Sequence, residues 1–116
     1  MTSEEFVALI KLVVSDAAIS DTIDVITSPP GRKPDQKLVD ISKYYNRQKQ
    51  ADKDMIDLII KKSVEEAIFG FFCVLDGVRA IENGEKKGEL ALLYKGENSA
   101  ELTAGADLHD IYNSML

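Results

Sequence analysis

Asp54-Met-Ile-Asp-Leu-Ile-Ile-Lys-Lys-Ser-Val-Glu-Glu-Ala-Ile-Phe-Gly-Phe-Phe-Cys-Val-Leu-Asp-Gly77 is the longest apolar pattern in the chain, and its reading decides the fold. Ile56, Ile60, Val64, Ala67, Phe71 and Leu75 recur at helical spacing, and Ile59, Ile68, Phe72 and Val74 widen the stripe until the helix is apolar nearly all round. A surface helix carries a narrower stripe, so this one is expected to be a central helix, buried on most of its circumference with Phe71 in the core. Gly70 costs about 1 kcal/mol relative to Ala inside a helix, which points to close approach by another element. Asp52 or Asp54 is a plausible N-cap, after a polar connection over 48–51, and Asp76-Gly77 punctuates the far end.

Beyond Gly77 the apolar period changes from helical to alternating. Val78 to Glu82 and Glu89 to Lys95 read as two strands around the polar loop Asn83-Gly-Glu-Lys-Lys-Gly88, with Leu90, Leu92 and Tyr94 on one face. Gly96-Glu-Asn-Ser99 is a further turn and Ala100 to Thr103 a third strand. Asp107 is placed to cap a last short helix through Ile111 and Tyr112.

Upstream, Thr2-Ser3-Glu4-Glu5 has the form of a capping box, so a helix begins at about Ser3. Phe6, Leu9, Ile10, Val13 and Ala17 keep a helical period, but Ile19, Ile23 and Ile26 have slipped by one residue, which implies a break near Ser15-Asp16 or Ser20-Asp21. Ser28-Pro-Pro-Gly31 ends helical structure outright. Pro34 suits the first turn of another helix that runs to about Arg47, with Tyr45 in the core and Tyr44 at the rim. The fold class expected is α+β: a mainly helical N-terminal part with a central buried helix, then a small antiparallel β-meander and a short C-terminal helix, as a single domain over 1–116.

Composition narrows the function classes. Fourteen basic against twenty acidic residues give a net charge of −6, which repels phosphate backbones and anionic lipid, so neither nucleic acid nor membrane is an expected partner. No apolar run approaches the roughly 20 residues that span a bilayer, and the opening Met1-Thr-Ser-Glu-Glu has acids where an export signal carries bases. A single cysteine, Cys73, forms no internal disulfide, and a cytoplasmic setting follows. Residues 32–53 form a basic island of +4 (seven basic, three acidic), whereas 54–116 carry −6 (six basic, twelve acidic). The island with Tyr44-Tyr45 reads as a solvated helix face before it reads as a docking or nucleic-acid surface.

Catalytic chemistry finds little support. His109 is the only histidine, and in Asp107-Leu-His-Asp110 its acidic neighbours are one and two residues away, pointing elsewhere on a helix, while metal ligands want spacings of three or four. No metal or cofactor is expected. Cys73 sits between Phe71-Phe72 and Val74-Leu75, where a thiol behaves as a buried hydrophobe. Glu65-Glu66 and Asp54-x-x-Asp57 suit helix solvation, and no phosphate loop or nucleophile elbow is present. Acids do gather in the C-terminal part, and Glu97, Glu101 and Asp110 are the residues expected to meet a partner.

The run Asp54 to Glu82, Gly88-Glu-Leu-Ala-Leu-Leu-Tyr94 and Leu108-His-Asp-Ile-Tyr-Asn113 together resemble a family of small, uncharacterised bacterial proteins, some of whose relatives are similar to toxin-immunity proteins. The resemblance covers roughly the C-terminal half and brings no site residue. It implies a cytoplasmic binding protein. The function expected is a non-enzymatic protein-binding module of immunity or antitoxin type, with a basic toxin as partner. The alternatives are a small hydrolase or enzyme accessory using His109, or a homo-oligomeric module, a homodimer for instance, joined by surplus apolar helix surface.

Overall fold

The computed structural model describes residues 1–105 and 107–116, and their packing gathers into two compact units: residues 1–14 with 66–116, and residues 15–65. The architecture is α+β, mostly helical with one two-stranded antiparallel sheet and a short C-terminal helix.

Helix α1 spans Ser3–Ile10 and opens on the expected capping box, the Glu5 amide donating to Thr2 Oγ1 at 3.1 Å and the Thr2 amide to Glu5 Oε2 at 3.2 Å. The expected break is absent. Lys11–Asp16 is π-helical, and α2 follows directly over Ala17–Thr27. A π-turn inserts one extra residue per bulge, which is the one-residue slip in the apolar pattern, accommodated without loss of helical hydrogen bonding. The insertion keeps Val7, Ser15 and Ile26 buried and leaves Leu9, Leu12 and Val13 on the surface.

Helix α3, Gln36–Asn46, is capped by Asp35, whose carboxylate accepts from the Lys37 amide at 3.1 Å; Pro34 therefore lies outside the helix, two residues before its start. In the 15–65 unit α3 packs against α2, and Asn46 Nδ2 donates to the Thr27 carbonyl at 3.0 Å and to Ser42 Oγ at 3.2 Å. Tyr45 is buried and Tyr44 exposed, as their phases require.

Helix α4, Gln50–Leu75, starts before either expected cap, so Asp52 lies within its first turn. There it complements the positive end of the helix dipole. Circumferential burial is not observed: Gly70, Phe72 and Cys73 are buried, whereas Met55, Leu58, Ile59 and Phe71 are each at least half exposed. The core phase runs through Phe72, one residue on from Phe71. Phe72 meets Phe6 edge-on at 6.3 Å and Tyr112 at 5.4 Å, in a cluster closed by Val7 and Leu108. The close approach at Gly70 is not by another helix or strand: the neighbour a Cβ would meet there is the guanidinium of Arg79, from the loop that follows α4.

The C-terminus of α4 is a Schellman motif. Gly77 adopts φ +78, its amide donates to the Val74 carbonyl at 3.1 Å, and the Val78 amide reaches back to the Cys73 carbonyl at 3.0 Å. The Arg79 amide bonds the same carbonyl at 3.1 Å. With two successive donors committed to the helix end, Val78 to Glu82 does not become a strand. The hairpin forms one turn later: β1 (Leu93–Tyr94) pairs with β2 (Ala100–Glu101), Leu93 opposite Glu101 and Tyr94 opposite Ala100, so the expected meander reduces to a single strand pair. Ser3 Oγ donates to the Leu102 carbonyl at 2.8 Å and ties the hairpin to α1. Helix α5, Leu108–Ser114, then closes the core with Leu108 and Tyr112. None of the helices among the described residues is long and apolar enough to cross a membrane.

Candidate functional site

An acid at a helix C-terminus opposes the local dipole, so Asp76, the residue that follows Leu75, needs a compensating partner. It finds one 33 residues away. Asp76 Oδ2 accepts from the His109 amide at 2.8 Å and contacts His109 Nδ1 at 2.5 Å. Because an ionised carboxylate only accepts, Nδ1 is the donor in this contact. Nε2 lies 3.5 Å from Asp110 Oδ1, and the imidazole stands edge-on to Phe69 with ring centres 5.9 Å apart. The Asp76 side chain is 1% exposed and that of His109 14%. Asp76 Oδ1 is buried and has no hydrogen-bond partner, so the carboxylate depends on His109 for its compensation.

The same contact replaces the expected cap of α5. Asp107 makes no side-chain cap hydrogen bond, and the carboxylate of Asp76 satisfies the His109 amide in its place. His109 thus pins the start of α5 to the end of α4, a role that sequence spacing around His109 does not reveal. The available signal was the misplaced charge of Asp76 at a helix C-terminus.

Next to the pair, residues 74–77, 79–82, 87–90, 101 and 103–105 line a cleft of about 480 Å³. Its charged lining is mixed, with Asp76, Glu82, Glu89 and Glu101 against Arg79 and Lys87. Glu82 is already engaged, accepting from the Gly88 amide at 2.7 Å and so closing the polar loop between them. His109 is not among the lining residues. The pair has the form of the base-orienting half of a catalytic arrangement. No group of three or more His, Cys, Asp or Glu side chains among the described residues is placed to hold a metal ion.

The acidic residues singled out from sequence lie on three elements: Glu97 in the turn between the strands, Glu101 in β2 and Asp110 in α5. All three are exposed, and no ion pair or hydrogen bond among the described residues joins them to one another. Only Asp110 approaches His109. Cys73 is buried, and its carbonyl serves the Schellman motif. No protein-family model matches the chain, and no curated protein or solved structure is significantly similar to it.

Proposed function

We propose that the protein is a non-enzymatic protein-binding module whose acidic surface captures a basic protein, as an immunity or antitoxin-type protein in the cytoplasm would. The observation that carries this reading is the partition of charge. Residues 1–14 and 66–116 hold eleven acidic and five basic side chains, whereas 15–65 hold nine of each. The entire net charge of −6 thus belongs to one unit. Glu97, Glu101 and Asp110 are exposed within it, as are Leu93, which pairs with Glu101, and Tyr94. Charge concentrated in this way raises association rates with a positively charged partner and rejects acidic ones.

The test is capture from the native host followed by association kinetics at two salt concentrations. Association should slow as salt screens the field, and neutralising Glu97, Glu101 and Asp110 together should slow it further. A rate indifferent to both would end the proposal. A second reading, a small hydrolase or enzyme accessory, draws on the Asp76–His109 contact. It requires turnover of an ester or phosphoester substrate that disappears in His109→Gln while the fold persists.

A further inference from the structure

Along α4, the exposed residues Met55, Leu58 and Ile59 sit at spacings of three and four, 56%, 50% and 59% accessible. Asp57, on the opposite side of the helix, turns inward and accepts from Tyr45 Oη at 2.7 Å, so the stripe faces outward. The exposed charges nearest it differ in sign at its two ends, while Lys53, between the acids, is only partly exposed over the Tyr45 ring and Glu66 stands one turn beyond the lysines. Asp52 and Asp54 precede it, Lys61 and Lys62 follow it, and all four are exposed. The acids suit the positive end of the helix dipole, but the two lysines lie in the middle of a 26-residue helix, where the dipole gives no reason for them.

We propose that a second copy of this chain docks antiparallel on the Met55–Leu58–Ile59 stripe of α4. With 1.5 Å of rise per residue, Asp54 and Lys62 stand roughly 6 Å to either side of Leu58 along the axis. A two-fold axis at Leu58 therefore sets Asp54 of each helix opposite Lys62 of the other, with Asp52 and Lys61 alongside, and buries the apolar stripe between them. A parallel pairing would oppose acid to acid and lysine to lysine, so the charge pattern selects the antiparallel arrangement. Three side chains and their charged flanks fall short of the roughly 800 Å² per partner of a standard interface, so the dimer is weak and concentration-dependent. This surface lies wholly within residues 15–65, and the inference is independent of the acidic-surface reading above.

Sedimentation velocity over a concentration series tests it, with far-UV circular dichroism to show that each variant folds. The mass should rise toward the dimer with concentration. Leu58→Asp should remain monomeric, and Lys61→Glu with Lys62→Glu should raise the dissociation constant about tenfold by setting like charges face to face. Adding Asp52→Lys and Asp54→Lys to that double variant should restore dimerisation, because the complementarity is then complete with its signs exchanged. A wild-type monomer throughout the series, a dimer that survives Leu58→Asp, or a quadruple variant no better than the double would each overturn the proposal.

Discussion

Truncating Phe72 and truncating Phe71 should have very different costs, although the two residues are adjacent and identical in type. Phe72 is 2% exposed and makes aromatic contacts with Phe6 and Tyr112, whereas Phe71 is 59% exposed. Phe72→Ala removes nearly the whole transfer term and leaves a cavity walled by Val7, Leu108 and Tyr112, for a loss of about 3 to 5 kcal/mol, with the two ring contacts favouring the upper end. Phe71→Ala leaves no enclosed cavity. With two-fifths of the side chain covered, it forfeits that fraction of the 1.5–3 kcal/mol that full burial supplies, or about 1 kcal/mol. Urea denaturation followed by circular dichroism should place the two variants at least about 2 kcal/mol apart, with unchanged slopes confirming that the exposed area of the unfolded state is unaltered. Equal losses, or a larger loss for Phe71→Ala, would refute the helix phase and with it the core of the 1–14 and 66–116 unit.

The hydrogen bond to Asp57, followed by burial and the charges of Asp57 and Asp54, pushes the Tyr45 hydroxyl up from 10.0 to about 12. Since the folded state holds this proton more tightly than the unfolded one, the contribution is complete below pH 10 and is lost as pH rises from 10 through 12. Absorbance titration should find one tyrosine ionising after the others, and Tyr45→Phe should abolish that step and cost about 1.5 kcal/mol near neutral pH. Asp76→Ala should destabilise by about 1.5–3 kcal/mol and speed hydrogen exchange of the His109 amide, while Asp107→Ala, which loses no cap bond, should change stability by less than about 0.5 kcal/mol; the reverse order would contradict the assignment of the α5 cap. Cys73, 5% exposed, should react with a thiol reagent only on unfolding, and rapid labelling of the native protein would contradict its burial.

The Asp76–His109 contact shows how one polar pair can organise a fold. One carboxylate oxygen ends the electrostatic exposure of the α4 terminus, caps α5 and orients an imidazole, through bonds of 2.8 and 2.5 Å to a single residue. The cost is a second oxygen buried without a partner, a penalty that ordinarily exceeds the net gain from one neutral hydrogen bond.

Local chemistry along the chain determined the capping box at Thr2, the end of α2 before Pro29-Pro30, the stop at Asp76-Gly77, the long helix between and the α+β class, because each depends on residues within about one helical turn of one another. The same local reading found the one-residue slip between Ala17 and Ile19 but left its origin at Ser15-Asp16 or Ser20-Asp21 and took it for a break, because a π-turn and a break leave the same mark on the apolar pattern. Periodicity also found the apolar residues of α4 but could not choose their phase, since a helix apolar on every side fits a core through Phe71 or Phe72 equally well. Only the packing of Phe6, Leu108 and Tyr112 made that choice, and it left Met55, Leu58 and Ile59 outside. Strands depended on competition for donors: Val78 and Arg79 gave their amides to the Cys73 carbonyl, and the ladder moved to Leu93 and Ala100. Tertiary structure likewise decided the partner of His109, because an interaction across 33 residues leaves no spacing in the sequence from which to read it.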